Sequence, residues 1–271
     1  MTAPLMTNFD EVYALPDPRG YFTRLRPLAY RTPQHAQHVF RELLGELGPG
    51  PHTVLDLCCS YGINATLLNH YLTLDQLYAR YSSPELARLS TAELMARDRA
   101  FYSTRRRRDT VRTIGLDSSR PAVTYAHAAG LLDEGHCADL ETAEPGEALL
   151  RAAAEADLIT VTGGSSFLTE RTYGPLVAAN RGRAPVASFV LRQHDYRPVA
   201  ACLADAGLED WRSPVSYPQR RFTDTGEQRR VINAVVARGE DPTGKEAAGW
   251  HHAWLHVARP AGPAGRAGRP R

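Results

Sequence analysis

One stretch constrains this chain more than any other: Val54-Leu55-Asp56-Leu57-Cys58-Cys59-Ser60-Tyr61-Gly62, followed by Ile63 to Tyr71. An apolar run carrying one acid breaks at small residues and passes into helical spacing. A buried parallel strand hands a tight loop to a helix N-terminus in this way. Small side chains there let a ligand approach the backbone closely, and the helix start offers free N–H groups. The stretch predicts a strand–loop–helix cradle, and with it an α/β fold.

The rest of the chain is read around that unit. Residues 1–50 intersperse Phe9, Tyr13, Tyr21, Phe22 and Tyr30 with Pro16, Pro18 and Pro27, then show helical spacing from Pro33 to Leu47. They read as an N-terminal helical and aromatic cap, too short to own a core. Residues 72–110 contain no good strand. Thr73-Leu74-Asp75-Gln76 and Ser90-Thr91-Ala92-Glu93 look like capped helix starts, so two or three helices are expected as an insertion. Strand–helix alternation then resumes: strands over Val111–Asp117, near Gly135–Ala138, over Asp157–Thr162 and Val186–Leu191, with helices over Pro121–Ala129, Glu147–Glu155 and Arg197–Ala206. Trp211–Val215 and Val231–Ala237 are expected as the last two strands. Alternation of this kind implies a parallel sheet covered on both faces, with its ligand beyond the carboxyl ends of the strands. Residues 241–271 read as a C-terminal extension, and the Pro-, Ala-, Gly- and Arg-rich tail after 259 as mobile.

The ordered motifs resemble those of class I S-adenosylmethionine (SAM) dependent methyltransferases. Val54, Leu55, Asp56, Leu57, Cys59 and Gly62 match the family's V-L-D-L-G-C-G-x-G, while Cys58 and Ser60 replace two of its glycines. Asp117, closing Ile114-Gly115-Leu116-Asp117, stands where the family grips the ribose hydroxyls. Ala138-Asp139-Leu140 resembles its third motif, whose acid binds the adenine amino group. Asp157-Leu158-Ile159 and Ala206-Gly207-Leu208 also fit. The resemblance implies a Rossmann-like, seven-stranded, mostly parallel sheet over residues 51–240, the insertion lying within it. It implies SAM as the cofactor, held by Asp56, Cys58, Cys59, Ser60, Gly62, Asn64, Asp117, Ser118, Asp139, Leu140, Thr162 and Gly163. Ser60-Tyr61-Gly62-Ile63-Asn64-Ala65 also partly matches a nicotinamide dinucleotide pattern, but its first glycine is missing.

Chemistry is expected from His194, Tyr173, Tyr13 and Tyr21. His194 follows the fifth strand and has an unperturbed pKa near neutrality, which suits a general base. Ser165 or Ser166 is expected to cap the helix after the fourth strand or to face the substrate. The expected activity is methylation of a small molecule in specialised metabolism. A second class is a SAM-consuming enzyme on the same fold that cyclises SAM itself to azetidine-2-carboxylate with release of methylthioadenosine. A third is a non-catalytic SAM-binding protein. A net charge of +2 demands no polyanionic partner, and Arg105 to Arg108 read as a solvated run rather than a nucleic-acid site. Cys58, Cys59, Cys137 and Cys202 form no C-x-x-C pair, and His251, His252 and His256 lack an acidic third ligand nearby, so no metal is expected. No apolar window approaches a membrane span, and no leader is apparent. A cytoplasmic protein without membrane or nucleic-acid partners is the expectation, with a homodimer as the assembly to consider.

Overall fold

The computed structural model describes residues 5–261. The cap supplies α1 (Asp10–Tyr13), α2 (Arg19–Leu25) and α3 (Thr32–Glu46). There follow β1 (Thr53–Leu57), α4 (Ile63–Asn69), then the inserted helices α5 (Leu74–Tyr81), α6 (Pro84–Ala87) and α7 (Thr91–Ser103). The alternating part continues with β2 (Arg112–Asp117), α8 (Arg120–Ala128), β3 (Glu134–Cys137), α9 (Glu147–Glu155), β4 (Leu158–Val161), α10 (Glu170–Asn180), β5 (Val186–Leu191) and α11 (Arg197–Asp205). It closes with β6 (Leu208–Arg221), α12 (Thr225–Ala237) and β7 (Trp250–Pro260).

The seven strands form one sheet in the order β3-β2-β1-β4-β5-β7-β6. β1 to β5 run parallel, and β7 is antiparallel to both its neighbours. Side-chain alternation divides the core. Leu55, Leu57, Ile159, Val161, Val186 and Val190 face the cluster built on α9, α10 and α11. Val54, Leu158, Ala187 and Phe189 face Phe40, Leu43 and Leu44 of α3. A period of two on strands buried from both sides produces this split, so both faces carry helices. The strand order reverses between β1 and β4, which opens a crevice beyond their carboxyl ends.

The insertion is helical as its caps require. Thr73 and Ser90 each accept the backbone N–H three residues on, and Gln76 and Glu93 return the bond, two complete capping boxes. Insertion and cap share one core: Val12, Tyr21 and Phe22 pack with Leu77, Tyr81 and Tyr125, and Phe22 stacks on Tyr81 at 4.4 Å between centroids. Inside it the buried Asp98 carboxylate accepts from Arg80 at 2.6 Å, Tyr81 at 2.5 Å and Tyr125 at 2.7 Å, which joins the insertion to α8. A carboxylate so enclosed is tolerated because a cation and two hydroxyls satisfy it.

The C-terminal third differs from the sequence expectation. Val231–Ala237 is no strand but the second half of α12, because Val231 and Val235 are the buried pair and Asp224 caps the helix by accepting the Glu227 N–H at 2.8 Å. Trp211–Val215 is only part of the long β6, an edge strand broken by register shifts. Residues 241–260 are not an extension: they contain β7, which lies inside the sheet between β5 and β6. Three histidines obscure its alternation in sequence, yet Ala253, Leu255 and Val257 are buried. The tail expected to be mobile lies, from residue 262, outside the described residues.

Candidate active site

The crevice at the strand-order reversal holds a cavity of about 610 Å³. Its walls are the segments that leave the parallel strands: Leu57 to Ser60 after β1, Leu116 to Ser119 after β2, Ala138 to Glu141 after β3, and Thr162 to Gly164 after β4. The cap adds Asp10, Tyr13, Ala14, Tyr21, Tyr30 and Pro33.

The loop after β1 is built under conformational tension. Cys58, Ser60 and Gly62 all hold left-handed backbone, at φ 54°, 52° and 73°. Only glycine adopts this without cost, so the two replacements keep the glycine conformation at about 1–2 kcal/mol each. Compensation comes from glycines elsewhere. A Cβ at Gly164 would lie 2.2 Å from Cys58 Sγ, and a Cβ at Gly115 would lie 2.6 Å from Cys59 Sγ. The missing side chains of Gly164 and Gly115 make room for the thiols. Burial pushes both thiols far above the usual range, so neither is a thiolate at neutral pH.

Asp117 fixes this loop. Its carboxylate accepts the Ser60 N–H at 2.9 Å and the Ser119 N–H at 2.8 Å. Two bonds leave acceptor capacity free toward the cavity it lines. Burial nonetheless pushes its pKa up against those bonds. Asp139 accepts from the Glu141 N–H and the Thr142 hydroxyl, which aims the segment after β3. Ser118 and Leu140 stand beside these acids on the wall.

Asp56 and Gly62 do not line the cavity. Asp56 lies behind it, accepting from Asn64 Nδ2 at 2.9 Å and Thr160 Oγ1 at 2.7 Å; burial pushes its carboxyl up to about 7. Asn64 and Thr162, bonded to each other at 3.1 Å, form the wall in front of it. Gly62 works through shape, as the left-handed residue that opens α4. Two polar atoms of cavity-lining residues, Ser60 Oγ and Asn64 Oδ1, are buried with no hydrogen-bond partner. Buried polar atoms are rarely left so, and a polar ligand in the cavity would satisfy them.

The four catalytic candidates separate. Tyr13 and Tyr21 line the cavity. Tyr173 does not: its hydroxyl meets Ser188 Oγ at 3.1 Å inside the core over α10 and α11, because α10 turns this residue toward the sheet. His194 lines a separate cleft of about 490 Å³ with Tyr196, Trp254 and His256, above the antiparallel strands. The chain turns back after β5, with the His194 N–H on Leu191 C=O, and carries the ring away from the crevice. Burial pushes its imidazole down to about 4. Ser165 bonds Phe189 C=O and does not cap α10; Thr169 does. Tyr30, Glu141 and Arg120 line the cavity without having been singled out for it. Only Tyr30, one of the cap aromatics, left a signal in the sequence.

Arg105 and Arg107 lie over the rings of Phe101 and Tyr71. His251 is buried beside Glu227, and among the described residues no group of side chains could hold a metal ion. Among the same residues no helix is long and apolar enough to cross a membrane.

No protein-family model matches the chain, and no curated protein matches it. Solved structures do. A magnesium protoporphyrin IX methyltransferase from Synechocystis PCC 6803 with bound SAM is similar at 12% identity, over 84% of this chain and 79% of that one, with a TM-score of 0.41. A TehB-like SAM-dependent methyltransferase from Corynebacterium glutamicum is similar at 13% identity, over 79% and 84%, with a TM-score of 0.39. A functionally unknown protein from Deinococcus radiodurans R1 is similar at 13% identity, over 82% and 86%, with a TM-score of 0.43. At this level of likeness a functional reading rests on the cavity's own side chains.

Proposed function

We propose that the protein binds SAM in this cavity and transfers its methyl group to a small molecule. The observation that carries the reading is the placement of Asp117 and Asp139 at the ends of β2 and β3, on one wall with the Cys58–Ser60 loop and its orphaned Ser60 Oγ and Asn64 Oδ1. Asp117 would hold the ribose diol, Asp139 and Leu140 the adenine, and Ser60 and Asn64 the polar amino-acid arm. SAM supplies an electrophilic carbon on a sulfonium leaving group. The protein's share is to orient a nucleophile and exclude water. The cavity suits one ligand of drug size, so a nucleoside joined to an amino acid leaves room only for a small reactant.

One observation favours a second reading. Among the described residues no imidazole and no lysine lines the cavity, and burial raises the phenols of Tyr13, Tyr21 and Tyr30 far above neutrality. Carboxylates are the proton acceptors this wall offers, so in the second reading the substrate is SAM itself, its α-ammonium giving up a proton as the nitrogen closes on the γ-carbon to azetidine-2-carboxylate and methylthioadenosine leaves. Incubation with SAM alone, followed by mass spectrometry of the adenosine products, separates the two. Methylthioadenosine without an acceptor supports cyclisation; S-adenosylhomocysteine (SAH) formed only with an added acceptor supports methyl transfer. Neither product from any acceptor mixture, despite tight SAM binding, would make the protein a binder rather than an enzyme.

A further inference from the structure

The cap places three phenol rings in the cavity wall. Tyr21 meets Tyr13 at 6.1 Å between centroids and 63°, and Tyr30 at 6.4 Å and 85°. Both pairs are edge-to-face, so the three rings do not stack into one flat wall, and all three line the cavity. The box is held in place independently of any ligand. Tyr61 donates its hydroxyl to Val12 C=O at 3.0 Å and Leu15 C=O at 2.7 Å, and Ser119 donates to Tyr13 C=O at 2.5 Å. The Tyr30 hydroxyl is seated against Gly163, where a Cβ would fall 2.5 Å from it. Among the described residues the Tyr13 and Tyr21 hydroxyls bond no protein group within hydrogen-bond distance, and neither is a fully enclosed orphan. The phenols are neutral at neutral pH, and burial raises them further from ionisation.

Charge around the box points one way. Among the described residues the lining holds four carboxyl groups, Asp10, Asp117, Asp139 and Glu141, against one cation, Arg120; Asp10, Asp139 and Arg120 are exposed. A neutral aromatic corner in a cavity of negative sign attracts a cation both through the ring quadrupoles and through the surrounding field. A neutral thioether of the same shape gains neither.

We propose that Tyr13, Tyr21 and Tyr30 form a charge-reading box that prefers the sulfonium of SAM to the uncharged sulfur of its spent product, so that loss of charge during the reaction loosens the ligand. The proposal rests on the SAM reading above and assigns the three tyrosines as specificity-determining residues, not as bases.

Calorimetry on the full-length protein tests it with SAM, SAH and the isostere that carries an ammonium-bearing carbon in place of the methylated sulfur. SAM and the ammonium isostere are expected to bind roughly tenfold more tightly than SAH. Tyr21→Phe keeps the ring and should keep that preference. Tyr21→Leu and Tyr13→Leu should remove most of it by weakening SAM while leaving SAH within about twofold. Tyr21 is nearly buried, so circular dichroism checks each variant, and the wild-type ratio stands without any variant. Equal affinity for SAM and SAH in the wild type, or parallel weakening of both in the leucine variants, overturns the charge-reading box and leaves SAM binding intact. Failure of the wild type to bind either ligand overturns the SAM reading and the box with it.

Discussion

Asp117 and Asp56 sit on adjacent strands, yet the structure gives them different work. Asp117 faces the cavity and closes the loop through the Ser60 and Ser119 amides. Asp117→Ala is expected to lower SAM affinity by about 10- to 100-fold, since hydrogen bonds to a charged group are worth about 1.5–3 kcal/mol. It should also lower stability without ligand, because two amides lose their acceptor. Calorimetry and urea unfolding read the two effects, and an unchanged dissociation constant would show that another residue holds the ribose. Asp56 is closed off behind Asn64, its carboxyl raised to about 7 by burial. A raised acid binds its proton more tightly in the native state than in the unfolded chain. Its favourable contribution is therefore complete below the unfolded value, near 4, and is lost as pH rises through about 7. The ligand-free protein should lose stability between pH 5 and pH 8 relative to Asp56→Asn, whose amide never ionises. Parallel stability profiles for the two proteins over that range would refute this. Sequence made the strand-end acids legible because carboxyls punctuate apolar runs there. It did not show that Asp56 is sealed from the ligand, since both acids end a similar run and only packing distinguishes them. Nor did it show the pairing of Cys58 with Gly164 and Cys59 with Gly115, which joins residues far apart in the chain.

The elements that distinguish this chain from a bare nucleotide-binding sheet are the cap and the insertion, and they act as one body. Phe22 stacked on Tyr81 and Tyr21 set against Tyr61 fuse α2 to α5 and to the loop after β1. Composition suggests a cap that could be removed to leave a folded sheet. The shared core argues otherwise, since removal of residues 1–30 would expose the buried Leu77, Tyr78 and Tyr81. Tyr61→Phe is a gentler probe. It deletes the one O–H proton that Val12 and Leu15 C=O share, the Leu15 carbonyl being the nearer acceptor, a loss of about 1–3 kcal/mol. Hydrogen exchange across residues 7–30 is expected to accelerate while β1, β4 and β5 stay protected; uniform acceleration everywhere would mean that the cap has no stability of its own to lose. The helices of this region were legible because capping boxes are local chemistry. The end of the sheet was not. Val231, Val235 and Val236 have the β-branched composition of a strand, yet the buried pair is spaced at four, and helix packing overrides propensity. β7 escaped for the complementary reason: His251, His252 and His256 interrupt its apolar alternation, although its position inside the sheet buries half of it.

At the scale of the whole molecule, the reversal of strand order between β1 and β4 makes one crevice, and the four parallel-strand exits around it supply the same wall. Topology of this kind accepts either a SAM or a dinucleotide, so the choice falls to the surface the crevice presents. A pyrophosphate needs close approach to glycine backbone at a helix start and a positive or neutral surrounding. Here Ser60 carries a side chain where the dinucleotide pattern has its first glycine, and among the described residues four carboxyls and one arginine line the crevice. A doubly charged pyrophosphate is disfavoured on both counts, while a ligand bearing a sulfonium and an ammonium is favoured. Ligand linkage turns this into a melting experiment. A ligand at one hundred times its dissociation constant stabilises the native state by about 2.7 kcal/mol. For a chain of this size that is a rise of roughly 5–10 °C in midpoint. SAM is expected to produce such a rise, and NAD at the same concentration is expected to produce none. A rise with NAD and none with SAM would reverse the assignment, because the crevice would then be accepting the anion that its charge and loop geometry are built to repel.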